Sequence, residues 1–488
     1  MSILKDFLRG VAWSMGMRWS LHLLGMLSTI IIARLLTPHD FGIVSAATIA
    51  LGLTNNLMSM GVEQHLIRTK EATPEHCNTA WTLQVLQNLF VAILLALAAP
   101  MVAYYMDEPK VTEVIYLIAI ATAVTGLSNI GVPLARKNLQ FHKDFQFNVS
   151  QKLATIVLSI GLAVWLRSYW ALALSYLISA FFGLALSYLM FKYRPRWSLA
   201  RFKEYFRFSV RIIPLSIAKY LNDKIDTLII GGMAGSAQLG LYNTSSELST
   251  MATREVGTSI SRGLYPNYAA IKDNKEQLNS SFIAVLASIS LFIIPLGAGL
   301  SLCAEQIIPL LLGSHWLAAV PIIEWLAIAA TLTSMTHLMT MQVLIVSGYE
   351  LVSVGMVWLR LGLQATGIYL AVSLGGVHAI AIGVTLATAV SLPIAMVVLN
   401  RCLGISLTAS LGSFWRPLVA ALMMALALVA IEPSLPENTA LQLMTKVAAG
   451  AIVYGLSDLL LWRLSGRPSG VEKYLVETLA SRRTKFAN

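Results

Sequence analysis

The stretch YWALALSYLISAFFGLALSYLMF, residues 169–191, contains no charged residue. A helix needs about 20 apolar residues to cross a hydrocarbon core of about 30 Å, so this stretch is long enough to span a bilayer. Comparable apolar stretches fill most of the chain, for example residues 280–302 and 377–399. The pattern predicts an all-α, polytopic membrane protein.

Hydropathy and turn signals divide the chain into about 14 transmembrane helices. The first segment carries Arg18 and is followed by no small-residue cleavage site, so we interpret it as a retained span rather than a signal peptide. The predicted spans are residues 10–33, 40–64, 79–101, 113–133, 150–166, 169–191, 208–231, 238–262, 280–302, 318–345, 351–373, 377–399, 414–431 and 442–462.

Composition supports lipid as the solvent for most side chains. Of the 488 residues, 57% are hydrophobic and 12% are charged, whereas a soluble domain has about 25% charged residues. The net charge of +11 does not indicate nucleic-acid binding, because the charge lies in loops beside apolar spans, where it sets orientation. The three cysteines are far apart and form no CxxC pattern, and the histidines are scattered, so we expect no metal and no cofactor.

The loops alternate in charge. Most of the 35 Lys and Arg residues lie in every second loop, with a dense cluster over residues 192–211, whereas the loops on the other side hold Arg34, Lys110 and Arg167. The positive-inside rule therefore places both termini in the cytoplasm.

The chain also contains an internal repeat. IIIARLLTPHDFGIV at residues 30–44 aligns without a gap with LIIGGMAGSAQLGLY at residues 228–242, so that Gly42 matches Gly240. Six predicted spans precede the repeat point and six follow it, with two more at the end. Because six is even, the two halves enter the membrane in the same orientation, which makes a parallel repeat about the membrane normal. The predicted domains are two six-helix bundles at residues 1–200 and 201–405, two additional helices at 406–465 and a basic tail at 466–488.

Several charged residues lie inside predicted spans, where insertion of each costs about 2.5–3.5 kcal/mol unless it faces a cavity or a partner. One interpretation is a water-filled cationic cavity for an anionic headgroup, with acidic residues that bind a coupling cation. The other is structural: Lys219 and Asp223 form an i,i+4 pair, and Glu247 neutralises a basic residue on a neighbouring helix. The candidate substrate-binding residues are Arg18, His22, Lys219, Arg254 and Arg360, and the candidate ion-coupling residues are Asp223, Asp226 and Glu247.

Motifs of common enzymes and channels are absent from the sequence. It contains no GxxxxGK[ST], no GxSxG, no HExxH and no TVGYG filter. These absences favour a secondary transporter over an ATPase, another enzyme or a channel.

Four stretches together resemble the bacterial polysaccharide exporters and flippases of the multidrug, oligosaccharidyl-lipid and polysaccharide exporter superfamily. They are ARLLTPHDFGIVSAA at residues 33–47, DTLIIGGMAGSAQLGLYN at 226–243, LYPNYAAI at 264–271 and LLGSHWLAAVPII at 311–323. The chain departs from the family pattern at Gly232 and Met233, where many members carry a basic residue.

The resemblance implies two bundles in a V shape plus two extra helices, in the inner membrane of a bacterium. It further implies flipping of undecaprenyl-pyrophosphate-linked oligosaccharide, with the lipid-linked substrate and membrane lipid as partners, and a polymerase and glycosyltransferases of the same pathway as further partners. The alternatives are a cation-coupled multidrug antiporter of the same superfamily and a membrane polysaccharide polymerase. The excess of basic over acidic residues disfavours the first, and the short external loops disfavour the second.

Overall fold

The computed structural model describes residues 20–21, 23–57, 61–69, 72–138, 140–271 and 274–466. Every regular element within these ranges is helical, which confirms the predicted all-α class. The helices up to residue 271 are α1 (Leu23–Leu35), α2 (Pro38–Leu57), α3 (Val62–Arg68), α4 (Pro74–Tyr105), α5 (Lys110–Gly126), α6 (Gly131–Lys137), α7 (Phe141–Leu166), α8 (Trp170–Met190) and α9 (Phe202–Ile271).

The helices that follow are joined by short turns, including two 3₁₀ segments, Ser314–Ala319 and Glu432–Ser434. They are α10 (Lys275–Leu302), α11 (Ala304–Leu311), α12 (Val320–Val346), α13 (Glu350–Val372), α14 (Gly376–Leu403), α15 (Leu407–Gly412), α16 (Trp415–Ile431) and α17 (Thr439–Leu464).

The described helices confirm a multi-pass membrane protein. Nine of them are long and apolar enough to cross a bilayer, and α5 with α6, bent by 59° at a short break, adds a tenth if the pair is one span. Each of these candidates coincides with a predicted span. The full count of 14 stays a prediction.

The chain divides into two compact units, residues 1–243 and 244–488, so that the boundary lies within α9. In the second unit α10, α12, α14, α16 and α17 bury a core that includes Phe282, Ile289 and Met424. Other apolar side chains point outward, such as Leu97, Leu189 and Leu351, which are 73%, 83% and 87% exposed. Such exposure is stable in lipid, which solvates apolar side chains as well as a core does. The predicted boundaries of the two six-helix bundles stay a prediction.

Helix α9 contains both predicted spans 7 and 8 and is broken between them at Gly235. This residue has φ 77° and ψ 171°, a backbone conformation in which an L side chain is strained. The break marks the start of the second half of α9 and lies inside the second copy of the sequence repeat.

Candidate functional site

The two copies of the repeat meet each other in the first unit. A methyl group on Gly42 would overlap the backbone carbonyl oxygen of Ser236, and one on Gly240 would overlap that of Pro38. Pro38 is the repeat equivalent of Ser236, as Gly42 is of Gly240. The two contacts are therefore reciprocal, which is what a two-fold axis between the copies requires.

A third contact lies on the same local axis. Asn243 donates from Nδ2 to Oγ of Ser45 at 3.2 Å, and the two residues are 198 positions apart, the offset of the repeat. A residue that contacts its own equivalent lies beside the axis. The segments 37–45 and 235–243, called the repeat hairpins below, thus form a pseudo-symmetric contact between backbones that only glycine at positions 42 and 240 permits.

The turn between α4 and α5 connects the two repeat hairpins through a carboxylate. Glu108 Oε2 lies 2.7 Å from His39 Nε2 in the first hairpin, and it accepts a hydrogen bond of 3.2 Å from Ser236 Oγ in the second. The side chain of Glu108 is only 14% exposed. A single half-buried acceptor therefore holds both hairpins.

A further turn joins the same end of the unit. Asp40 Oδ1 accepts a hydrogen bond of 2.9 Å from the backbone N–H of Tyr169, which follows α7. Tyr105 donates from its hydroxyl to the Leu228 carbonyl at 3.4 Å. The ends of α4 and α7 and the starts of α2 and α8 thus converge on the repeat hairpins.

The carboxylate of Asp226, which precedes the second hairpin in sequence, accepts hydrogen bonds from groups of the protein itself. It accepts from the Tyr242 hydroxyl at 2.7 Å, and from the backbone N–H and the hydroxyl of Thr227 at 2.7 and 3.1 Å. Lys224 donates to Asn243 Oδ1 at 3.3 Å. Asp226 thus positions the second hairpin through its hydrogen bond with Tyr242. Its role in ion coupling stays a prediction.

The other predicted site residues are distributed over both units. Arg18 and His22 lie outside the described residues, and for Lys219 and Arg254 the structure describes the backbone within α9 and not the side chains. Asp223 and Glu247 are exposed on α9. Their predicted roles, and the Lys219–Asp223 pair, stay predictions.

Arg360 lies in the second unit, half-buried on α13. Its guanidinium donates to the hydroxyl of Thr333 on α12 at 3.1 Å. One turn further along α13, Gln364 is 7% exposed and its Oε1 accepts no hydrogen bond from the described residues. Arg360 is therefore part of a polar strip within the second unit.

At the opposite end of the first unit, two basic residues are structural. Arg136 on α6 donates from Nε to Asp144 of α7 at 2.7 Å and from its terminal nitrogen to Glu63 of α3 at 2.5 Å. Lys137 donates to the carbonyls of Leu66 and Thr69 at the end of α3. These two residues join three helices.

Sequence reasoning did not identify the polar residues around the hairpins, His39, Glu108 and Ser236. Among these three residues, only Ser236 was indicated by the alignment of the internal repeat. Extending the alignment by one residue pairs Ser45 with Asn243, and the pairing of Pro38 with Ser236 was already within it. Nothing in the sequence indicated Glu108, because its role depends on how the α4–α5 turn packs.

The fold is similar to that of a solved lipid II flippase, MurJ, in an inward closed conformation. The two superimpose with a TM-score of 0.76 at 11% sequence identity, over 93% of this chain and 99% of the flippase. At this identity the similarity establishes the fold.

The sequence itself matches the family model described as polysaccharide biosynthesis protein over residues 31–321. The chain belongs to this family, which confirms the family expected from the four signature stretches. Relatives include the lipopolysaccharide biosynthesis protein WzxC of Escherichia coli K12, 24% identical over 68% of this chain and 69% of the relative. An uncharacterised membrane protein of the cps region of Klebsiella pneumoniae is 23% identical over 94% of this chain and 95% of its own length.

Proposed function

We propose that this chain is a secondary transporter, and not an enzyme, that flips undecaprenyl-pyrophosphate-linked oligosaccharide units across the bacterial cytoplasmic membrane by alternating access. The family and the fold shared with a lipid II flippase support this class of substrate. The observation that carries the mechanism is the reciprocal contact of the repeat hairpins, which closes one end of the first unit.

Alternating access requires such a contact to form and separate in each cycle. The contact is suited to this, because it consists of close backbone packing and a few hydrogen bonds rather than a large apolar core. With both termini in the cytoplasm, the hairpins lie at the extracytoplasmic face and act as the outer gate.

The remaining parts of the proposal follow the sequence interpretation. The chain has 14 spans, arranged as two six-helix bundles in a V shape with two additional helices. Arg18, Lys219, Arg254 and Arg360 hold the pyrophosphate, and Asp223, Asp226 and Glu247 respond to the coupling cation. The polymerase and glycosyltransferases of the same pathway are the proposed protein partners.

A leaflet-accessibility assay tests the activity directly. Purified protein is reconstituted into vesicles that contain a lipid-linked oligosaccharide, and the fraction of glycan accessible from outside is measured with time. We expect faster equilibration between leaflets than in protein-free vesicles, and loss of that acceleration when Arg18 and Arg254 are both changed to Ala. No acceleration by the unaltered protein would reject the proposal.

The gate is tested by holding it shut. In a chain whose three natural cysteines are replaced, Ser45→Cys together with Asn243→Cys places two thiols on the local axis of the hairpins. A short cleavable thiol cross-linker should stop flipping, and cleaving the linker should restore it. Either cysteine alone serves as the matched control, and undiminished flipping by the cross-linked protein would contradict gating at this contact.

The alternatives predict different results in the same preparation. A multidrug antiporter would leave the lipid-linked oligosaccharide in its original leaflet and would change the drug susceptibility of a deletion strain. A polymerase would lengthen the glycan chains during the incubation.

A further inference from the structure

The link between α8 and α9 presents a surface of alternating cationic and aromatic side chains. We call it the link surface, and its exposed members are Lys192, Arg196, Trp197, Phe202, Lys203 and Phe206. It lies at the end of the first unit opposite the repeat hairpins and does not belong to the proposed transport path.

The link is held in place by its backbone and by its inward-facing side chains. Tyr193 donates from its hydroxyl to Asn78 Oδ1 at 2.8 Å, and the same oxygen accepts from the backbone N–H of Arg196 at 3.0 Å. The N–H of Ser198 donates to the Thr82 hydroxyl at 3.0 Å. The link is therefore tied by hydrogen bonds to the first turns of α4.

The side chains of the link divide between α4 and the outside. Tyr193 is bonded to α4, and Trp197 touches Trp81 by an edge contact at 5.1 Å between ring centroids while 62% of the residue stays exposed. Lys192 and Arg196 are exposed as well. The link thus presents two cations and one aromatic ring outward.

The first turn of α9 extends this surface. Tyr205 is fully buried against α3 and α4, which turns Phe202, Lys203 and Phe206 outward. The rings of Phe202 and Phe206 stack at 5.6 Å between centroids, with 39% and 51% of these residues exposed. Two stacked aromatic rings therefore stand beside Lys203.

Not all basic residues of this region are available to a ligand. Arg194 donates to the carbonyls of Phe191 and Tyr193 at the end of α8, and Arg201 is paired with Glu75 and Glu204. By contrast, the side chains of Lys192, Arg196 and Lys203 form no hydrogen bond or ion pair with any described residue.

The depth of the link relative to the bilayer follows from the length of α4. Its 32 residues extend about 48 Å at 1.5 Å per residue, about 18 Å more than a hydrocarbon core. If both ends share the excess, about six residues at each end lie in the headgroup layer. The anchors Asn78 and Thr82 lie near that boundary, so the link surface lies at headgroup level.

We propose that the link surface is a binding site for anionic phospholipid headgroups of the adjacent leaflet. Lys192, Arg196 and Lys203 pair with phosphate groups, while Trp197, Phe202 and Phe206 insert among the glycerol and upper acyl segments. Interfacial aromatic residues and cations near the membrane surface favour this location. An acidic protein is a poorer match, because it would leave the exposed aromatic rings at the membrane boundary without contact.

The test measures lipid selectivity around the full-length protein in phosphatidylcholine vesicles without transport substrate. Spin-labelled phosphatidylglycerol and spin-labelled phosphatidylcholine, each added as a trace, report by electron paramagnetic resonance which lipid is preferred at the protein surface. Changing Lys192, Arg196 and Lys203 together to Gln should lower the preference for phosphatidylglycerol by about threefold or more. Salt at 1 M, where the Debye length is about 3 Å, should lower it in the unaltered protein as well.

A matched control removes the same charge elsewhere. Lys275→Gln with Arg401→Gln and Arg463→Gln changes three exposed residues of the second unit and should leave most of the preference intact. Equal loss in both triple variants would overturn the proposal in favour of a net-charge effect. No effect in the Lys192, Arg196 and Lys203 variant, at an unchanged melting temperature, would overturn it too and would leave an acidic protein as the occupant.

Fluorescence quenching tests the insertion of the aromatic side chains separately. Phosphatidylglycerol brominated near the glycerol should quench the fluorescence that is lost on Trp197→Phe. Unquenched Trp197 would contradict insertion at this depth. Both measurements are independent of flipping, so their failure would leave the proposed transport function untouched.

Discussion

The two ends of the first unit are held together by different means. At one end the repeat hairpins touch through Gly42 and Gly240, and the carboxylate of Glu108 is shared between them. At the other end, Arg136 joins α3, α6 and α7 through two carboxylates, and the link is hydrogen-bonded to α4.

The difference indicates which end is built to move. Ion pairs from one guanidinium to two helices fix the helices in one arrangement. A symmetric backbone contact with a small number of hydrogen bonds can separate and re-form with little rearrangement of side chains. The hairpin end is therefore the expected site of opening, and the Arg136 end the expected hinge side.

The largest effect is expected at the glycine contact. Gly42→Ala places a methyl group onto a backbone carbonyl that cannot rotate away. We therefore expect the free energy of the arrangement in which the hairpins touch to become less favourable by about 3 kcal/mol. Thermal unfolding in detergent, together with the flipping assay, measures the change. Because the contact is reciprocal, Gly240→Ala should act in the same way.

Gly161→Ala on α7 is the matched control, since no heavy atom lies within 4 Å of the added carbon. If Gly161→Ala and Gly42→Ala were equally harmful, the hairpin contact would have no special importance.

A smaller effect is expected at the other end from Arg136→Gln. The Asp144 side chain, only 6% exposed, loses its charged partner, whereas Arg136 itself is 33% exposed and partly screened by solvent. We expect a loss of about 2 kcal/mol in the free energy of unfolding. Adding Asp144→Asn should restore part of it, and a double variant no better than the single one would show that the pair does not couple these helices.

The contact between His39 and Glu108 should contribute less. A double-mutant cycle with His39→Gln and Glu108→Gln measures the coupling between the two side chains, which we expect to be about 1 kcal/mol. The coupling should vanish when the cycle is repeated in a Gly42→Ala background, where the hairpins are forced apart. A coupling that persists there would show that the polar contact is independent of the gate.

The smallest effect concerns Glu204 in the link region, where the hydrogen bond from Arg201 lowers the pKa of the carboxyl below its ordinary value of 4.5. A lowered folded-state pKa contributes stability above the unfolded value, and this contribution is lost as the pH falls through the folded value. Glu204→Gln should therefore lower the melting temperature slightly at neutral pH and by less at a pH well below 4.5. An equal difference at both pH values would rule out the charge as its cause.

Much of this organisation was predictable from local sequence. Apolar length predicts where helices cross lipid, and nine candidate spans among the described residues, ten with the bent pair α5 and α6, appear where it placed them. The repeat was visible because Gly42 and Gly240 are matched in sequence and also required by a close contact in space. Glu108 and Arg136 were not predictable as site or scaffold residues, because their partners Ser236 and Glu63 are distant along the chain.

The sequence by itself determined that this chain is a helical membrane protein with an internal repeat. It also determined that the chain belongs to the polysaccharide biosynthesis protein family. Hydrophobic length and residue matches are local quantities, which need no knowledge of neighbours. Only the tertiary structure decided that the two copies of the repeat touch, that Asp226 and Glu108 accept hydrogen bonds from the hairpins, and that Arg136 is structural while Lys192, Arg196 and Lys203 face outward. The physical reason is that the electrostatic energy of a charged group depends on the groups around it. In this protein those groups belong to helices that are far apart in sequence.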